Sequence, residues 1–414
     1  MGPDDHSSAV QPRPGSVWPA VGYERLIWES PDRDFGTMAR SEMALRRGSY
    51  SSAIPADIAT LDYAPARSVS AAAEDASNEI ARFDAEMGTE IAPFAAILLR
   101  SESVASSQIE NLSASARSVA MAELGDTTKQ NATLIAANTN AMRSAIQLSD
   151  HLDTESILQM HLALLGSHEP RTAGRWREEP VWIGRSSRSP IGAEYVAPHQ
   201  SRVLHAIDDL VAYVNREDIP VLEQAAIAHA QFETIHPFTD GNGRTGRALI
   251  HSMLKAKGLT RNVTVPVSSG LLGQPDVYHR ALSSFRAGSP DDMIELTADA
   301  AFRAIANGRQ LVLEIRQIRE TWRRSVTARA DSATWKIADL LLRQPVLDTA
   351  VLNTELGITA NHASRYMDQL RAGGAVTGFN VHRRGLHWKS DAVLDALDAF
   401  AARSSRCQFP TALS

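Results

Sequence analysis

The sequence predicts a mainly α-helical protein. Apolar residues recur at helical spacing from Ala71 to Gly166, from Val203 to Asn215, from Val221 to about Lys257 and from Asp291 to about Ala328. Strand-like text is confined to short pieces: mixed patterning between Tyr23 and Arg67, a turn flanked by apolar residues at 181–196, and a segment near the C-terminus.

At 414 residues the chain exceeds one ordinary domain, and two or three are expected. Hydrophobic content of 43% with 22% charged residues is that of a soluble globular protein. A net charge of −6 argues against a general nucleic-acid-binding role. Cys407 is the single cysteine, which excludes an internal disulfide or thiolate cluster and fits a reducing compartment. No apolar run reaches the ~18–20 residues a bilayer requires, so no membrane partner is expected. The start has no basic segment followed by an apolar one, and a cytoplasmic location is expected.

In chain order, residues 1–20 are rich in Pro, Gly and Ser and read as disordered. Residues 21–90 read as an N-terminal subdomain anchored by Trp28, Ile54 and Leu61. Residues 91–328 form a helical core, and 331–404 a separate module. Within the core, Val221 to Ile235 predicts a helix with one buried face, carrying Leu222, Ala225, Ala226, Phe232 and Ile235. His229 lies among them as a packed or hydrogen-bonded residue. Pro237 ends that helix, because the residue before a proline is pushed out of the helical region. Asp240 to Gly243 is a turn by composition. A second helix runs from about Arg244 to Lys257, with Ala248, Leu249, Met253 and Leu254 inward and Gly258 as its stop. The later tract from Asp291 places Ile294, Leu296, Ala300 and Ile305 inward.

The chemistry concentrates between these two helices, in His236-Pro-Phe-Thr-Asp-Gly-Asn-Gly-Arg-Thr-Gly-Arg247. A helix start attracts anions through its free N–H groups and the positive end of its dipole. Gly241 and Gly243 let a phosphate approach the backbone. Arg244 and Arg247 can each fork two hydrogen bonds to a phosphate. Asp240 can hold Mg²⁺, which binds through one or two carboxylates plus phosphate oxygens. His236 can take a proton from a hydroxyl nucleophile. Gly241 to Gly246 also fits G-x-G-x-x-G, but a dinucleotide fold needs a strand before it and here a helix precedes. No Gly-Lys-Ser/Thr follows, so it is not a Walker loop. Zinc needs histidines four apart on one helical face, and Pro237 interrupts His229 and His236. A plain helix–turn–helix corner explains the glycines but not His, Asp, Asn and two Arg together.

The string resembles the signature of the Fic family, H-P-F-x-[D/E]-G-N-G-R-x-x-R, at every fixed position. The resemblance implies an all-helical catalytic core that moves AMP from ATP onto a hydroxyl of a target protein. By it, His236 is the base for a Ser, Thr or Tyr of the target and Asp240 binds Mg²⁺. Gly241, Asn242 and Gly243 cradle the α- and β-phosphates with help from Arg244. Arg247 clamps the γ-phosphate and Phe238 packs under the loop.

Ser106-Ser-Gln-Ile-Glu-Asn111 resembles the family's inhibitory motif, [S/T]-x-x-x-E-[G/N], on a helix near 101–120. By analogy Glu110 pairs with Arg247 and denies the γ-phosphate its seat. A carboxylate on an arginine fork competes with phosphate for the same donors, and a fully buried pair would be a lock worth ~3–5 kcal/mol. The hairpin expected around 184–196 resembles the family's flap, which presents a strand edge to the target peptide. Tyr278 falls where some members place an aromatic near the adenine; a core tyrosine is an equal reading.

The C-terminal module reads as helices at Trp335–Leu342, Thr349–Leu356 and Ala360–Ala372, with Gly357 and Gly373-Gly374 as stops and Thr359 as an N-cap. A hairpin from Val376 to Phe379 and Leu386 to Lys389 follows, which resembles a winged helix-turn-helix. Candidate DNA contacts are Asn361, His362, Arg365, Arg383 and Arg384. The module's basic and acidic residues nearly balance, so DNA is the less favoured partner, behind protein contact or a homodimer. The leading expectation is an ATP- and Mg²⁺-dependent protein adenylyltransferase, acting on a target protein or on itself and held in check by Glu110. The alternatives are removal of AMP, with Glu110 positioning water, and a nucleotide-sensing transcriptional regulator.

Overall fold

The computed structural model describes residues 17–30, 45–88, 91–184, 186, 188–381 and 385–406, with 91–93 described by backbone alone. The fold is mainly α-helical with three small antiparallel sheets among the described residues. Strands β1 (Gly22–Glu29) and β2 (Arg47–Ile54) pair so that Gly22 faces Ile54 and Glu29 faces Arg47. Trp28, Ile54 and Leu61, expected as anchors, are only half-buried. Tyr50, Ala53 and Ile58 are the buried residues of that segment. Trp18, within the stretch expected to be disordered, is 4% exposed and packs edge-on against Tyr63. The remainder of that stretch, residues 1–16, lies outside the described residues, as do Cys407 and the wing residues Arg383 and Arg384.

The helical tract from Ala71 to Gly166 divides into α1 (Arg67–Gly88), α2 (Ile91–Ile109), α3 (Ala116–Glu123), α4 (Gln130–Gln147) and α5 (Thr154–Leu165). A capping box opens α5, with Asp153 and Ser156 exchanging bonds between side chain and backbone. The expected hairpin forms as β3 (Trp182–Ile183) against β4 (Tyr195–Val196). It is anchored rather than free-standing: Ser52 Oγ donates to Ala197 O at 2.9 Å, and Trp28 meets Trp182 edge-on. Arg185 and Ser187 of this segment lie outside the described residues.

Helices α6 (Val203–Val214), α7 (Val221–Ile235), α8 (Asn242–Ala256), α9 (Val267–Leu272), α10 (Pro275–Arg286) and α11 (Asp291–Ser325) complete the core. The expected single buried face of α7 is corrected. Every residue from Leu222 to Ile235 is buried, because α1, α6, α8, α10 and α11 surround this helix. Its polar members, Glu223, Gln224, His229, Gln231, Glu233 and Thr234, disguise a central helix as an amphipathic one. One hydrophobic core runs from Trp18 through α1, α7 and α11 to Phe400.

At the C-terminal end lie α12 (Ala333–Arg343), β5 (Val346–Leu347), α13 (Thr349–Leu356), α14 (Ala360–Ala372), β6 (Thr377–Val381), β7 (Gly385–Lys389) and α15 (Asp391–Ser404). Gly357 stops α13 at φ 66, where a side chain would be strained. The hairpin is longer than expected, and β5 adds a third strand beside β7. Asn361, His362 and Arg365 are exposed on α14. Arg343 pairs with Glu355, Arg371 with Asp368 and Lys389 with Asp391, so several of the module's cations are already neutralised.

Candidate nucleotide site

Helix α7 ends at Ile235, and His236 takes the left-handed conformation, φ 49 and ψ 61. A non-glycine residue there costs ~1–2 kcal/mol, so something must hold it. Arg177 does. Its Nε donates to His236 O at 2.8 Å, and its backbone N donates to Pro237 O at 3.0 Å. Its Nη1 and Nη2 donate to Glu179 O at 3.0 Å and Pro198 O at 2.5 Å, on either side of the β3–β4 hairpin. Arg177 thus ties the histidine loop to the hairpin through carbonyl oxygens, and burial pushes its pKa down to about 10. No local pattern signals this role, since Arg177 lies far in sequence from the motif it serves.

Phe238 is fully buried and lies under the loop as expected, stacked on His161 at 3.7 Å and on Trp176 at 5.1 Å. Gly174 N donates to His161 Nδ1, which leaves Nε2 to donate to Asp240 O at 3.0 Å. Burial lowers the His161 pKa to about 4, so the ring is neutral. Asn242 Oδ1 accepts from Phe238 N and its Nδ2 donates to Phe238 O, both at 2.8 Å. Its side chain therefore pins the loop, and what it can offer a phosphate is its backbone amide. Gly241 sits at φ 78, a conformation that glycine adopts without strain.

The second helix begins at Asn242, two residues earlier than expected. Its first turn closes with Thr245 N on Gly241 O, so the amides of Asn242, Gly243 and Arg244 precede the intrahelical ladder. Arg244 is buried, with Nη2 at 3.2 Å from Asp240 Oδ2 and with Nε and Nη1 unpartnered among the described residues. Arg247 is 1% exposed. Its Nε donates to Ser106 Oγ at 3.0 Å, and its Nη2 to Ser106 O and Glu110 Oε1, both at 2.8 Å. Its Nη1 is buried without a partner among the described residues. Burial disfavours the charge on Arg247, but the Glu110 carboxylate outweighs that and keeps the guanidinium protonated. Buried donors left unpaired are uncommon, and here they surround a helix start that favours anions.

His236 is about a quarter exposed, and its buried Nδ1 faces Glu233 Oε2 at 3.6 Å. Burial pushes the Glu233 carboxyl up, yet the His236, His229 and Arg247 rings and guanidinium together hold it well below the usual range. An ionised Glu233 favours the proton on Nδ1 and leaves Nε2 as the basic edge. Glu233 was not among the expected site residues, although its place one turn before His236 was legible. His229 Nε2 meets the Tyr278 hydroxyl at 2.8 Å, and both are buried, which favours the core reading of Tyr278.

The segment 101–120, expected as an inhibitory helix, is not one continuous helix. α2 ends at Ile109, and Leu112 N bonds back to Ser107 O across Asn111, which sits at φ 59. This helix stop uses a left-handed residue, a conformation that asparagine adopts more readily than most side chains. Glu110 reaches Arg247 as expected, but its side chain is 38% exposed. The expectation of a fully buried pair worth several kcal/mol is corrected: the pair is half-solvated and correspondingly weaker. The pair belongs to a ladder between α2 and α8. Glu102 Oε1 lies 2.8 Å from His251 Nε2, Ser106 holds Arg247, and Glu110 abuts Gly243, where a Cβ would collide with Oε1.

Free amides at a helix start, flanked by arginines and an imidazole, define a site that can seat a nucleotide's phosphates. A family model described as "Fic/DOC family" matches residues 151–254, and the chain carries a domain of that family there. The chain is 37% identical over 123 residues to the protein adenylyltransferase fic-1 of Caenorhabditis elegans, covering 29% of this chain and 22% of that protein. It is 34% identical over 113 residues to the protein adenylyltransferase Fic of Nematostella vectensis, covering 27% of this chain and 25% of that one. This chain therefore spans a quarter or less of the length of these curated relatives. A crystal structure of a Fic family protein from Desulfovibrio desulfuricans G20 matches 79% of this chain and 98% of its own, with TM-score 0.50 and 20% identity. That likeness concerns the fold alone, and it extends well beyond the family segment.

Proposed function

We propose that the chain is a protein adenylyltransferase that moves AMP from ATP to a hydroxyl of a target protein, and that Glu110 restrains it. The observation that carries the reading is the placement of His236, its Nδ1 turned to Glu233, beside a helix start where Arg244 Nε and Nη1 and Arg247 Nη1 have no partner among the described residues. The triphosphate sits on the amides of Asn242 and Gly243, with Arg244 and Arg247 on its outer oxygens. The target hydroxyl oxygen attacks the α-phosphorus, the bond to the bridging oxygen of the β-phosphate breaks, and pyrophosphate leaves. The hydroxyl proton passes to His236 Nε2.

Mg²⁺ fits the same loop. The Asp240 carboxylate is 58% exposed, and among the described residues no cluster of three metal ligands exists. A single carboxylate completed by phosphate oxygens is how this ion commonly binds. When bound, it would neutralise charge on the leaving pyrophosphate. The β3–β4 hairpin, joined to the His236 loop through Arg177, is the proposed seat of the target segment, which is a second protein or another part of this chain.

The test is transfer from ATP labelled at the α-phosphate. The native protein should be labelled weakly and Glu110→Gly more strongly, with pyrophosphate released in step. Removal of a general base costs ~10²–10⁴ in rate, so equal labelling by His236→Ala would refute the assignment.

A further inference from the structure

Away from the histidine loop, residues of α2, α4 and α8 and the segment 260–264 enclose a cleft of about 320 Å³. Leu99, Ile146 and Val263 give it an apolar lining, while Arg143 and Arg261 are exposed at it and Lys255 is half-buried. Among the described residues no carboxylate lines the cleft, and no acidic partner of Lys255 or Arg261 is found. Arg143 spends one donor on Asn140 Oδ1 at 2.9 Å. In a chain of net charge −6, three cations gathered without an acid are a local departure. None of the residues from His236 to Arg247 reaches this cleft, so it is separate from the nucleotide site.

We infer that this cleft binds a small organic anion: a carboxylate or phosphate monoester head on an apolar body. Three features define that ligand class. The volume lies within the ~300–1,000 Å³ typical of small-molecule sites. The cations offer charge-assisted hydrogen bonds to an oxyanion. The aliphatic lining gains only from a ligand with apolar surface to bury, and among its described residues there is no Phe, Tyr or Trp on which a base could stack. The cleft wall is firm. His251, which lines it, is fixed by the buried Glu102, whose second oxygen accepts from Ser268 N at 2.9 Å.

The test is calorimetric titration of the full chain with octyl phosphate and with octanoate, against inorganic phosphate and neutral 1-octanol. Saturable binding of either amphiphilic anion is expected, and the tighter of the two identifies the head group. Lys255→Glu combined with Arg261→Glu should weaken it about tenfold or more. Arg143→Glu, on the exposed face of α4, is a second variant whose fold is not at risk, and it should weaken the same ligand. Absence of saturable binding by both anions would overturn the inference. So would unchanged affinity in both variants, or equally tight binding of 1-octanol or of inorganic phosphate. None of these readouts depends on AMP transfer.

Discussion

Glu110 Oε1 takes the Nη2 of Arg247 at 2.8 Å, while Arg247 Nη1, on the same guanidinium, is buried with no partner among the described residues. The arginine is thus half-engaged by the carboxylate and keeps one donor for another anion.

The strength of that contact sets the first prediction. Because Glu110 is more than a third exposed, its contribution is near the ~1 kcal/mol of a solvated pair rather than that of a buried one. Glu110→Ala should therefore tighten ATP binding by about fivefold in calorimetry. An unchanged dissociation constant would mean that the carboxylate and the nucleotide do not compete.

Gly243→Ala separates the carboxylate from the seat itself. The added methyl would meet Glu110 Oε1, which can swing aside, and Arg247 Nη1 at 2.9 Å, which is buried and cannot. Alanine favours a helix by up to ~1 kcal/mol over glycine, so the fold should not suffer. ATP affinity should nevertheless fall about tenfold or more, alone and combined with Glu110→Ala. Tight ATP binding by the double variant would show that phosphates do not approach the backbone here.

Two buried histidines set an acid dependence. Burial lowers the pKa of both His161 and His229 from 6.5 to about 4. The unfolded chain then binds more protons than the native one between those values, so stability rises with pH across that window. The contribution is fully present above pH 6.5, declines as pH falls, and stops declining near pH 4, where both states are protonated. Urea unfolding at pH 7 and pH 5 should show this loss, and His161→Gln should make it shallower. An identical pH slope in the variant would refute the buried neutral assignment.

Arg177→Lys tests the link between loop and hairpin. A single ammonium cannot serve the carbonyls of Glu179, Pro198 and His236 together, and each one left unsatisfied costs ~1–3 kcal/mol. The melting temperature and AMP transfer should both fall, while ATP affinity, set by α8, stays near native. Parallel loss of ATP binding would show that Arg177 supports the phosphate seat instead.

The contiguous part of this architecture was legible in the sequence. Periodicity located α7, α8 and α11, and the turn residues located Gly241, Gly258 and Gly357, because these depend on neighbours a few positions away. The anion loop was legible for the same reason. Arg177 and His161 were not, since their roles arise only when segments 59 and 79 residues apart meet. The all-round burial of α7 was hidden because polar side chains that find partners in a core look, in sequence, like a solvated face. The exposure of Glu110 was likewise invisible, as it depends on where α2 stops relative to α8.

The ladder between α2 and α8 bears on how fast the seat can be vacated. Glu102 with His251 and Ser106 with Arg247 fasten the helix below the point where Glu110 emerges. Evicting the carboxylate therefore demands only a rotamer hop of a partly wetted side chain, a nanosecond event, and no detachment of the helix that bears it. On the proposed reading, access by nucleotide would be governed by occupancy, not by a slow rearrangement, and the restraint would grade with ATP concentration instead of switching.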